Sequence, residues 1–186
     1  MILNHGKEKV LVSEIIRIMA TIIILYTLNI PIFCKILLII LFDKIDCSHM
    51  SYPFTGPLFS KNTNICNTLY YQKSDKITDT ICYALLLFYI LNNGHMSTNY
   101  NYLIILLFIY RLVGTTLFLI KNDKKYLFYF PNFFLEICLG LMVINYFPML
   151  KRFIEIIILI IIIYKIIVEY YLHFINTNNN PSFLNY

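Results

Sequence analysis

Residues 30–46 read IPIFCKILLIILFDKID, and residues 75–91 read DKITDTICYALLLFYIL. Each is an apolar run with two aspartates at one end. Asp43 and Asp46 close the first at i, i+3, and Asp75 and Asp79 open the second at i, i+4. On a helix both spacings put the two carboxylates on one face. Two facing helix ends would therefore gather four carboxylates at one level. Working outward, the same alternation of long apolar runs and short polar breaks covers most of the chain.

Apolar residues make up 59% of the 186 and charged residues 13%, with a mean hydropathy of +0.70. A soluble domain carries about 45–50% apolar and about 25% charged residues. The composition predicts an all-α, polytopic membrane protein. Its length suits one bundle of six transmembrane helices at about 20 residues per span. We expect that bundle over 1–175, a cytoplasmic loop over 47–74, and a disordered polar tail over 176–186.

The spans fall at residues 11–26, 30–45, 75–91, 102–120, 127–146 and 153–174. Pro31, after Asn29, marks a break and a helix restart, because proline is tolerated in a first turn. Pro53, Gly56 and Pro57 interrupt any regular pattern in the long loop. The net charge of +5 comes from lysines flanking apolar runs. With the N-terminus inside, Lys7, Lys9, Lys44, Lys61, Lys73, Lys76, Lys121, Lys124 and Lys125 all lie on the cytoplasmic side, and only Lys151 and Arg152 oppose the rule. The acidic ends then face the cytoplasm. No basic stripe interleaved with aromatics occurs outside the spans, so nucleic acid is not an expected partner, whereas the bilayer is.

The five cysteines, Cys34, Cys47, Cys66, Cys82 and Cys138, form no CxxC and read as soft apolar packing. Ser74 or Asp75 suits an N-cap, and acid in a first turn favours the helix dipole. Asp43 and Asp46 have no such account, since carboxylates at a helix C-terminus oppose that dipole. A bound cation or Lys44 is needed to offset them. Mg²⁺ takes hard oxygen ligands and uses a few carboxylates together with substrate phosphates. Two such ions can neutralise charge developing on a phosphoryl group, while a remaining carboxylate takes a proton from an attacking hydroxyl. Four aspartates at the membrane surface thus suit phosphoryl transfer onto an alcohol.

These residues resemble the signature of the CDP-alcohol phosphatidyltransferases, D-x2-D-G-x2-A-R-x8-G-x3-D-x3-D, which runs from the second of six helices into the third. The ends of that pattern stand here as Asp43-Lys-Ile-Asp46 and Asp75-Lys-Ile-Thr-Asp79. Cys47 occupies the place of the family's first glycine and Tyr71 that of the later one. No Ala-Arg pair follows Asp46, and the intervening loop is longer. The resemblance implies Asp43, Asp46, Asp75 and Asp79 as ligands of Mg²⁺ (or Mn²⁺), with Asp79 also the catalytic base. It implies Arg111, Lys61 and Lys73 as substrate-binding cations, a CDP-linked lipid or alcohol as donor, release of CMP, and compatibility with a homodimer. The rival expectation is a non-catalytic membrane protein: a decayed relative, an assembly factor or a small transporter.

The remaining charges carry structural expectations. Glu14 and Arg17 pair at i, i+3, Arg111 pairs with Glu136 or Glu155, and Lys165 pairs with Glu169. His49 is a solvated loop residue. Gly114 and Gly140 let helices approach closely.

Overall fold

The computed structural model of the chain describes residues 2–44, 68–94 and 96–170. Among these, all regular structure is helical: α1 Ile2–Tyr26, α2 Ile32–Lys44, α3 Leu69–Asn92, α4 Thr98–Lys121, α5 Lys125–Tyr129, α6 Phe134–Tyr146, a 3-10 helix Pro148–Phe153, and α7 Ile154–Tyr170. Two stretches, Thr98–Lys121 and Lys125–Tyr146, are long and apolar enough to cross a membrane, with mean hydropathies of 2.4 and 1.9. At 13 residues, α2 is about 20 Å long, less than the ~30 Å hydrocarbon core. The chain divides into two compact units, 1–86 and 87–186, with α3 passing from one to the other.

In the first unit α1 packs on α2. The break between them forms because Pro31 has no N–H and its fixed φ suits a helix start. Its carbonyl then takes the first two bonds of α2, from the N–H of Cys34 at 2.9 Å and of Lys35 at 3.2 Å. Lys35 lies inside the apolar run yet is buried, and its Nζ donates to the Leu25 carbonyl at 2.7 Å. That carbonyl lies in the last turn of α1, where no intrahelical donor remains. Leu25, Ile36 and Leu86 are fully buried here.

In the second unit α4 ends where Asn122 adopts a left-handed φ of 58° and donates its N–H to Phe118 O. This is the left-handed cap that asparagine tolerates. The expected fifth helix, 127–146, is broken. Pro131 cannot donate to the carbonyl of Leu127, four residues earlier, so α5 stops at Tyr129 and α6 begins at Phe134. Packing then closes on the break. A Cβ on Gly114 would lie 2.2 Å from Phe130 Cβ, so α4 meets the interruption at a distance only glycine allows. Gly140 plays the milder role between α6 and α7, where an added Cβ would meet Ile161 Cδ1 at 2.7 Å.

Two expected boundaries move. α1 begins at Ile2 rather than at residue 11, so residues 2–9 form its first two turns. α3 starts at Leu69 rather than Asp75, because Leu69, Tyr70 and Tyr71 continue its periodicity and Tyr71 is buried. Residues 69–74 therefore leave the predicted loop 47–74, whose members 47–67 lie outside the described residues, as does the tail 176–186. Cys34, Cys82 and Cys138 are free thiols.

Candidate functional site

The first unit contains the chain's densest set of described charges, built from α1, α2 and α3. α1 contributes Glu14 and Arg17, one turn apart, both buried. α2 contributes Asp43 in its last turn, and α3 contributes Asp75, Lys76 and Asp79. The early start of α3 removes the capping account of its acids. Asp75 lies six residues into the helix and Asp79 ten, where neither the N-cap nor the dipole argument reaches.

What gathers these carboxylates is Arg17. Its Nη1 donates to Asp75 Oδ1 at 2.6 Å, and its Nη2 donates to Asp43 Oδ1 at 3.0 Å and to Asp79 Oδ1 at 2.5 Å. A planar guanidinium presents donors in a fixed fork, so one side chain can serve several carboxylates where an ammonium would be a single point charge. Lys76 completes the arrangement from the more open edge, with Nζ 2.6 Å from Asp75 Oδ2 and 2.7 Å from Asp79 Oδ2. Both oxygens of Asp75 and of Asp79 are thus held by protein cations.

Asp79 is the most enclosed of the three aspartates, with its side chain 5% exposed, against 14% for Asp75 and 28% for Asp43. Removing ions from water is expensive unless they are paired and hydrogen-bonded, and here the pairing is dense. Beneath the charges, Thr21 donates to the Arg17 carbonyl at 2.9 Å and lies 3.4 Å from Cys82 Sγ, joining α1 to α3 below the cluster.

The expected acidic convergence therefore holds for Asp43, Asp75 and Asp79. Asp46, Lys61 and His49 lie outside the described residues. Lys73 sits half-buried on α3, two residues before Asp75. In donor type, three carboxylates fit a hard divalent cation. In arrangement, their oxygens are turned onto Arg17 and Lys76, and among the described residues no three His, Cys, Asp or Glu side chains stand as a ready metal-ligating group. Sequence reading assigned Arg17 only to Glu14. That contact exists at 3.6 Å but is longer than the bonds to the three aspartates. The available signal was an arginine inside an apolar helix, which calls for polar partners beyond one neighbour on its own helix.

Arg111 belongs to the second unit and pairs with neither Glu136 nor Glu155. It is buried, and its Nη1 donates to Phe130 O at 2.8 Å and reaches Leu127 O at 3.5 Å. These are carbonyls stripped of helical donors by Pro131. Tyr110 serves a third, donating to Tyr129 O at 2.6 Å. Glu136 is instead joined to Lys165, with Nζ 2.7 Å from Oε1, which links α6 to α7, while the side chain of Glu169 lies outside what the structure describes. Glu155 is exposed.

No family profile, characterised protein sequence or solved structure matches the chain. The cluster's chemistry is accordingly read from its own residues.

Proposed function

We propose that this chain is a divergent CDP-alcohol phosphotransferase: a multi-pass membrane enzyme with a six-helix bundle whose N-terminus and acidic site face the cytoplasm. It would transfer a phosphatidyl or phospho-alcohol group from a CDP-linked donor to an alcohol, releasing CMP, in phospholipid synthesis. The observation that carries the reading is the meeting of Asp43 with Asp75 and Asp79, more than 30 residues further along the chain, in one part-buried cluster. A purely apolar bundle has no use for such a convergence, because each buried carboxylate costs desolvation.

In this reading Asp43, Asp46, Asp75 and Asp79 would hold Mg²⁺ (or Mn²⁺), which would supply positive charge against the donor's diphosphate. Asp79, the most enclosed aspartate, accepts the proton of the acceptor hydroxyl. The acceptor oxygen bonds to the phosphorus nearest the transferred group, and the bond from that phosphorus to the bridging oxygen breaks. CMP leaves with the electron pair. Lys61 and Lys73 keep the anion-binding roles that the family resemblance gives them.

A second reading is favoured by one specific observation: Arg17 and Lys76 hold both oxygens of Asp75 and Asp79. A non-catalytic membrane protein would use the same cluster only to fasten three helices. The test is CMP release by the purified chain in lipid nanodiscs with Mg²⁺ or Mn²⁺, offered CDP-diacylglycerol or CDP-choline and a panel of alcohol acceptors. Metal-dependent CMP release that Asp79→Asn abolishes is expected. Absence of CMP with every donor and acceptor would leave the fastening role.

A further inference from the structure

We propose that the turn between α6 and α7 is a membrane-surface anchor that binds the headgroups of acidic phospholipids through Lys151 and Arg152. The proposal needs a bilayer around the second unit and does not depend on catalysis at the aspartates. A proline builds the turn. Phe147 closes α6 by donating its N–H to Val143 O at 2.8 Å, and Pro148 has no N–H with which to continue that ladder. The Leu150 N–H then bonds Phe147 O at 2.9 Å and starts the 3-10 helix.

Apolar side chains face outward on this turn. Met149 is 83% exposed, more than any other large apolar side chain among the described residues, and Phe147 and Phe153 are exposed beside it. Lys151 and Arg152 are exposed in the same short helix, and neither is held by a carboxylate among the described residues. The Arg152 guanidinium carbon lies 4.6 Å from the centre of the Phe153 ring, so cation and ring are kept together. Water would suit the cations alone, and hydrocarbon the rings alone. A stretch offering both fits the boundary where acyl chains give way to phosphate.

The rest of the second unit agrees on that level. Phe134 packs against Phe108 and Phe130 against Tyr110, so the chain runs back along α4 after its turn. The end of α6 therefore returns to the level where α4 begins. Tyr100 and Tyr102 are exposed there, as Tyr146 is at the end of α6, and tyrosines concentrate at membrane–water interfaces. Lys151 and Arg152 are also the two basic residues that stand against the expected orientation. Headgroup binding gives them a task that orientation does not.

The chain contains no tryptophan, so Met149→Trp gives it a single fluorophore on the turn. The full chain carrying that substitution is reconstituted into vesicles of phosphatidylcholine with a minor share of phosphatidylglycerol. Either lipid in turn carries brominated acyl chains, which quench tryptophan, at the same share of the total. Brominated phosphatidylglycerol is expected to quench the turn more strongly than brominated phosphatidylcholine. Each basic side chain should favour acidic lipid about fivefold at low salt. Lys151→Gln or Arg152→Gln lowers the preference by about that factor, the double variant removes it, and added salt weakens it. Ile109→Trp, exposed midway along α4, is the control for insertion and is expected to be quenched equally by both lipids. Equal quenching at the turn, or a preference that survives the double variant, overturns the proposal. So does a turn that neither lipid quenches. Quenching that falls as the protein-to-lipid ratio rises would assign the patch to a second copy of the chain and overturn it as well.

Discussion

Arg17 in the first unit and Arg111 in the second are both buried in helices of an apolar chain, and they find opposite kinds of partner. Arg17 meets three carboxyl side chains drawn from two other helices. Arg111 meets only backbone carbonyls that a proline has deprived of their donors. A carbonyl asks for one hydrogen bond and leaves the cation's charge uncompensated. Three carboxylates on one guanidinium exceed what a helix contact requires. The contrast separates a place where charge repairs a backbone defect from a place where charge has been concentrated.

That contrast breaks most sharply at Arg17. Arg17→Met leaves the aspartates buried without their shared cation, and loss of one partner of a buried pair costs about 3–5 kcal/mol. Chemical unfolding in mild detergent is expected to show a loss of that size, and a loss under about 1 kcal/mol would mean that the carboxylates do not depend on it. Gly114→Ala comes next, at about 1–3 kcal/mol and toward the upper end, because the new methyl meets a Cβ that cannot swing away. Gly140→Ala, which meets the movable end of Ile161, is expected to cost less in the same assay.

Arg111→Met follows, at about 1–3 kcal/mol for carbonyls left unsatisfied in a buried setting. Amide exchange over 126–134 should quicken in that variant and remain unchanged over 10–25. The smallest effect belongs to the pair joining α6 and α7. Lys165→Met alone destabilises by stranding Glu136. Adding Glu136→Met returns the unfolding midpoint to within about 1 kcal/mol of wild type, since apolar residues of similar volume often replace a buried ion pair at little cost. A double variant as weak as the single one would assign this pair a role beyond packing.

Much of the helical layout was legible in the sequence, for reasons that are local. Pro31 ends one helix and begins the next through its missing N–H, and Gly114 and Gly140 mark close approaches because no other residue omits the Cβ. The spacing of Asp75 and Asp79 at i, i+4 correctly implied a shared face, while Asp46, the i, i+3 partner of Asp43, lies outside the described residues. What escaped reading was set by distance along the chain. Arg17 has only Glu14 within helical reach, so its true partners, 26 to 62 residues away, leave no local trace. Arg111 was sent to glutamates because charge suggests charge. Its carbonyl partners became visible only once Pro131 was seen to interrupt 125–146, a signal present in the sequence that hydropathy alone overrode. The start of α3 was placed late for a similar reason: Tyr70 and Tyr71 carry hydroxyls and Gln72 is polar, yet Tyr71 is buried and extends the helix.

The claim on which the account stands is that Asp43 and Asp79 share the guanidinium of Arg17, and a double-mutant cycle measures this directly. Unfolding free energies of wild type, Arg17→Gln, Asp79→Asn and the double variant, with the same cycle run for Asp43→Asn, give the coupling between each pair. The structure predicts couplings of about 1–3 kcal/mol in both cycles, the size found for residues within one ion-pair network. Additive effects, within about 0.5 kcal/mol, would mean that these side chains do not meet and would contradict the assembled site.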